Sequence, residues 1–312
     1  MMAEFMQLDF PALLGGSLAA IACSLVGNYL VLTRRAMFTD AISHVTLPGV
    51  LIAFLITGST TTLPMLIGGV GAALIAAGLV FVLTRLGGVE PSAALGVVFT
   101  SLFALGVVLM EQSGAARTTF DVHHVLYGNL EGLVWPAATG LESLGDPGSL
   151  SMLPEAIGRM VVILALVIAV IAIWHKELAL VAFDAVFAAA SGIPVRLIDL
   201  VLLGATALAT VAAFESVGVI LALAMIVCPA ATARLVTRRL GPQIALSLLL
   251  ALGAVWLGYA IAVLGPAAFG HDLSLNAAGV IGALSGLAFG VTAMLEAARP
   301  KRFLNTSRAG VA

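Results

Sequence analysis

The chain has 312 residues, of which 61% are hydrophobic and 10% charged, whereas an ordinary soluble domain carries about a quarter charged residues. That composition excludes a sizeable soluble domain and points to membrane-spanning helices, each of which consumes roughly 20 apolar residues. A net charge of -2 without long basic runs gives no support to nucleic acid as a partner.

The first apolar stretch runs from Phe10 to Thr33, with no Lys or Arg before Arg34. A cleavable leader needs a basic start, so this stretch is expected to be retained. Spans follow at Ala36 to Thr57, Leu63 to Leu86 and Pro91 to Glu111. The interval from Gln112 to Leu153 is different: it carries Asp121, Glu131, Glu142 and Asp146 and is interrupted by Pro136 and Pro147. It reads either as an outer loop whose carboxylates gather cations or as a solvated loop with an interfacial turn at Trp135. Five more stretches complete the chain, at Ile157 to Trp174, Leu197 to Phe214, Ser216 to Ala233, Ile244 to Leu264 and Ala277 to Leu295.

The expected fold is therefore all-α, a polytopic integral membrane protein of eight or nine transmembrane helices in a single domain over residues 1–312. The count turns on Glu215, which separates two stretches with hardly any loop. Small residues recur every fourth position at Gly15, Ala19, Cys23 and Gly27, and again at Gly282, Gly286 and Gly290, a pattern that lets helices approach closely in lipid. Cys23 and Cys228 lie in apolar stretches and read as packing.

Basic residues orient the bundle, because Lys and Arg accumulate on the cytoplasmic side. With the N-terminus outside, Arg34, Arg35, Arg85, Lys176, Arg196, Arg234, Arg238, Arg239, Arg299, Lys301, Arg302 and Arg308 fall on one side, leaving only Arg117 and Arg159 of the 14 basic residues. On that side residues 176–196 contain a short helical run, Asp184 to Ala190, closed by Gly192 and Pro194. It is either a connector or a surface for a soluble motor.

Ionisable groups inside apolar stretches are the informative ones, since each costs roughly 2.5 to 3.5 kcal/mol near the bilayer centre. Asp40 and His44, four residues apart, project from one helical face and offer a carboxylate and an imidazole. First-row transition ions accept that mixture, whereas magnesium and calcium prefer oxygen alone. Two donors do not complete a site, so a symmetric partner or another helix must add the rest. The other reading places the pair near the interface, with Asp40 capping a helix start. Pro48, one turn on, can kink the helix and free backbone carbonyls. Glu215 is either a gating or proton-linked carboxylate or a paired one. His123 and His124 behind Asp121 read as solvated loop residues or as an outer metal entrance, and His271 with Asp272 as an outer turn. No glycine-rich phosphate loop with Lys and Ser or Thr is present, so ATP hydrolysis is expected in a separate partner.

The chain resembles the metal-type ABC permease family, which imports manganese, zinc or iron. The resemblance rests first on Gly27-Asn28-Tyr29-Leu30-Val31-Leu32 and Asp40-Ala41-Ile42-Ser43-His44-Val45-Thr46-Leu47-Pro48-Gly49. Gly96-Val97-Val98-Phe99-Thr100-Ser101 and Val125-Leu126-Tyr127-Gly128-Asn129-Leu130-Glu131 are similar to the manganese, zinc and iron branch. Phe183-Asp184, Gly192-Ile193-Pro194, Phe214-Glu215-Ser216 and Pro229-Ala230-Ala231 continue the likeness, although the family places Pro-Glu where this chain has Ala185-Val186. The resemblance implies a permease in the bacterial inner membrane with no tightly bound cofactor and a transported manganese, zinc or iron ion. It also implies a second permease copy, identical or related, a cytoplasmic ATP-binding pair contacted at Phe183, Asp184 and Gly192, and an extracytoplasmic metal-binding protein. Asp40 and His44 would line the ion path. Because a ligating imidazole must be neutral, uptake is expected to weaken at acidic pH. The competing readings are a gradient-driven secondary transporter with Glu215 and Asp40 relaying protons, and a membrane-embedded zinc hydrolase, for which no His-Glu-x-x-His run is present.

Overall fold

The computed structural model describes residues 2–58, 62–113, 130–268 and 275–298. Arg117, Asp121, His123, His124, Val125 to Asn129, His271, Asp272, Arg299, Lys301, Arg302 and Arg308 lie outside the described residues. Long apolar runs must close their backbone hydrogen bonds internally in lipid, and among the described residues they do so as helices, with no strand. Nine helices there are long and apolar enough to cross a membrane.

After an N-terminal turn with a π-helical stretch at Phe5–Asp9 come α1 (Phe10–Leu32), α2 (Met37–Thr57), α3 (Thr62–Arg85) and α4 (Pro91–Ser113). Short turns cover Leu130–Gly132, Leu141–Leu144 and Pro147–Leu150. They lead to α5 (Glu155–Ile173), α6 (His175–Phe183), α7 (Ala185–Ala190), α8 (Val195–Val217), α9 (Val219–Val236), α10 (Leu240–Ala268) and α11 (Ala277–Ala298).

The turns between helices follow local chemistry. α1 stops where Arg34 takes a left-handed φ of 58°. The Arg34 N–H then donates to the Val31 carbonyl at 3.2 Å and the Arg35 N–H to the Leu30 carbonyl at 2.8 Å, a helix-ending pattern that usually falls to glycine. Between α8 and α9 a single residue turns the chain: Gly218, with φ 81° and ψ 167°, a conformation open only to glycine. The stretch around Glu215 is therefore two helices.

α1 is the hub. Its side chains share the main apolar cluster with α5, α8, α9, α10 and α11, including Tyr29, Leu30, Met160, Phe214, Met225, Ile226, Val255 and Ile281. A Cβ at Gly27 would overlap the Ile226 carbonyl oxygen of α9, so only glycine lets α1 and α9 approach this closely. The second small-residue run behaves differently, since among the described residues Gly286 and Gly290 have nothing within 4 Å of a built Cβ. That stretch of α11 presents its glycines outward instead of packing them inside the chain.

α2, α3 and α4 form a lobe joined to the hub through α8, with Phe38, Ile42, Ala73, Ala77, Ala207 and Val211 as the seam. Within it, a Cβ at Gly49 would overlap the Gly68 carbonyl oxygen, and one at Gly68 that of Gly49, so α2 and α3 touch backbone to backbone.

The two ends of the bundle sort by charge. At one end Arg35 pairs with Asp199 at 2.9 Å, Arg196 lies over Phe81 and Arg234 over Phe183, each at 5.8 Å. At the other, Tyr259 donates to Asp9 at 2.8 Å, the Ala277 N–H donates to Glu131 at 2.9 Å, and the buried Trp135 packs with Met6. Arg159, which stands apart from the other basic residues in the orientation scheme, lies at this second end between Glu155 and Glu215.

Candidate functional site

Asp40 sits in the first turn of α2 and His44 one turn on. Their facing atoms, Asp40 Oδ1 and His44 Nε2, are 3.9 Å apart, with the side chains 59% and 43% exposed respectively. The N-cap of α2 is Ala36, and no side chain caps that turn, so Asp40 is not held there as a cap. Pro48 continues the same helix. Having no N–H, it gives none to the carbonyl of His44, which loses its usual helical partner. One chain thus presents a carboxylate, an imidazole and a main-chain carbonyl oxygen on neighbouring turns of one helix. Among the described residues no group of three or more His, Cys, Asp or Glu comes together to hold a metal. The donor set is open toward the outside of the chain.

Two aromatic residues that sequence reasoning passed over complete the surroundings. The His44 ring stacks on Phe99 with centroids 5.4 Å apart and planes at 18°, and meets the edge of Phe103 at 5.6 Å and 78°. Both come from α4. The spacing of Phe99, Phe103 and Gly106 marks one helical face, but nothing in the chain says that this face meets α2.

Glu215 lies in the last turn of α8 and is ion-paired with Arg159 of α5. Arg159 also reaches Glu155 at 2.9 Å. Of the two readings of Glu215, the structure places it with a cationic partner.

Asp184 accepts the N–H groups of Val186 at 3.1 Å and Phe187 at 2.9 Å, the side-chain cap of α7. Gly192, at φ 83°, ends that helix, with the Ile193 N–H donating to the Ala188 carbonyl at 3.1 Å. Capped at both ends, α7 exposes Val186 (82%) and Phe187 (57%), with Phe183 also exposed beside them. These are apolar side chains at the basic end of the bundle.

The ABC 3 transport family matches residues 2–135 and 148–288. The chain is 37% identical over 274 residues to the manganese transport system membrane protein MntD of Bacillus subtilis, covering 88% of this chain and 87% of that protein. It is 34% identical over 267 residues to the manganese transport system membrane protein MntC of Halalkalibacterium halodurans, covering 85% and 82%. Among solved structures, PsaBC from Streptococcus pneumoniae in complex with Fab superposes with a TM-score of 0.72 at 28% identity, covering 94% of this chain and 95% of that one.

Proposed function

This chain belongs to the ABC 3 transport family, and from the geometry of α2 we propose that it carries a divalent transition metal ion, manganese foremost with zinc and iron as alternatives, past Asp40 and His44. The observation that supports this reading is the outward-open pair of one oxygen and one nitrogen donor at 3.9 Å on a membrane-spanning helix. Ionisable side chains within membrane-spanning helices mark ion pathways, and a borderline ion accepts both donor types. A transport site must release what it binds, and an incomplete donor set in each chain favours loose binding. A second copy, identical or related, would supply the matching donors across the path.

The 312 residues serve in this reading as a single permease domain, with residues 176–196 as the segment that meets the ATP-binding subunits. Phe183, Asp184 and Gly192 act there as contact, cap and turn. ATP hydrolysis resides in those subunits, a metal-binding protein on the other face delivers the ion, and the assembly lies in a bacterial inner membrane. Pro48 frees the His44 carbonyl beside the path. Glu215 serves the outer end by holding Arg159. A proton relay through Glu215 would need a carboxylate without a fixed partner, whereas Glu215 is ion-paired with Arg159. Manganese uptake by cells whose manganese import depends on this chain, compared with His44→Ala at equal membrane levels, tests the reading: loss of uptake is expected, and an unchanged rate removes His44 from the path.

A further inference from the structure

Resting on that reading of Asp40 and His44, we propose that Phe99 and Phe103 are positioning residues: they hold the His44 imidazole in the plane from which its nitrogen meets the ion, and so set how tightly the ion is held. A ring nitrogen binds a metal through a lone pair lying in the plane of the ring, so that plane must be fixed. In most metal sites a hydrogen bond from the other ring nitrogen fixes it. Among the described residues His44 makes no such bond, and at 3.9 Å the Asp40 oxygen is beyond hydrogen-bonding distance. What surrounds the ring is aromatic: Phe99 parallel at 18° and Phe103 nearly perpendicular at 78°. Turning the imidazole would slide it off one face and drive it into the other.

The helix pair is built to bring these rings there. A Cβ at Gly106 would stand 2.9 Å from Pro48 Cδ and 3.0 Å from its Cβ, so only glycine lets α4 approach α2 this closely. One and two turns before Gly106, Phe103 and Phe99 fill the space beside His44. Phe103 is 39% exposed, as are many apolar side chains of α4, among them Val107 at 39% and Val108 at 50%. Phe99, Phe103 and Gly106 therefore form one face, matched to His44 and Pro48 of α2.

The test is radioactive manganese uptake by cells expressing the complete transporter with Phe99→Leu, Phe103→Leu, Phe99→Tyr or His44→Ala. Each leucine variant is expected to raise the apparent KM for manganese about fivefold, with the maximal rate within about twofold and the membrane level unchanged. Phe99→Tyr, which keeps the flat ring, is expected to stay within about twofold of the parent. Leucine variants with the parental KM, or a tyrosine variant as impaired as leucine, overturn the inference. Phe103→Leu keeps the test valid should Phe99→Leu fail to reach the membrane, because Phe103 is partly exposed. Full-rate uptake with His44→Ala sinks the ligand reading itself, whereas loss with His44→Ala beside normal leucine variants sinks only the positioning role.

Discussion

Between α1 and α10, Asn28 donates to Ser247 Oγ at 2.7 Å and to the Ser24 carbonyl at 2.7 Å, and accepts from Gln243 at 3.1 Å, all fully buried. On α2, Asp40 and His44 turn outward, and among the described residues neither side chain makes a hydrogen bond. In an apolar medium a polar group left alone is expensive. The first set meets that expense inside its own fold, so its use is to lock helices together. Apart from its own 3.9 Å approach, the second set has no polar side-chain partner among the described residues, as expected of groups whose partner comes from elsewhere. The locked set also touches the basic end: Gln243 receives a 3.5 Å contact from Arg234, whose guanidinium covers Phe183 next to α7.

If the two regions have these different roles, substitutions on α2 act on transport and substitutions at the α1 contacts act on stability. Asp40→Ala or His44→Ala is predicted to lower manganese uptake on the order of 100-fold, since losing a ligand costs at least as much as losing its support, while thermal stability of the detergent-solubilised protein stays near the parental value. Gly27→Val should do the reverse. Its side chain has no room beside the Ile226 carbonyl, and a loss of about 3 kcal/mol, read as a lower unfolding midpoint and reduced membrane level, is expected. Asn28→Leu leaves the Gln243 amide N–H without its acceptor, while Ser247 keeps its bond to the Ile244 carbonyl, and should cost about 1 to 2 kcal/mol in the same assay.

Smaller effects sharpen the contrast at the outer end. Glu215→Gln removes one partner of Arg159 but leaves Glu155 in place, so a loss of about 1 kcal/mol or less is expected; if the pair only holds the outer end together, uptake rates stay unchanged, and a lowered rate would assign Glu215 to the path. The smallest effect concerns Asp146, where the Ser149 hydroxyl and the N–H groups of Ser149 and Gly148 hold the carboxyl below the ordinary carboxylate range. A depressed carboxyl stabilises the fold above its unfolded value and loses that contribution as pH falls through the folded one. Asp146→Asn should therefore flatten only the acid limb of a stability profile, below about pH 4.

Much of the bundle is legible in the chain because apolar runs of span length leave one solution for their backbones. The expected stretch from Phe10 to Thr33 is α1 at Phe10–Leu32, and Ala36 to Thr57 is α2 at Met37–Thr57. At one moved boundary a polar residue with a distant partner is responsible. α10 begins at Leu240, before the expected Ile244, because Gln243 looks too polar for a span until Asn28, 215 residues away, is seen to receive it. Asp40 and His44 stand out by their type and spacing alone. That Phe99 and Phe103 flank His44 and that Arg159 meets Glu215 is not legible in the chain, because helical periodicity tells which residues share a face and is silent on which helix that face meets.

The most direct test is a structure of the complete transporter bound to manganese, with the ion located by its anomalous scattering. The expected result is an ion coordinated by an Asp40 carboxylate oxygen and a His44 ring nitrogen, with matching donors from a second permease copy. An ion bound elsewhere in the path, or Asp40 and His44 turned toward acyl chains, would contradict it.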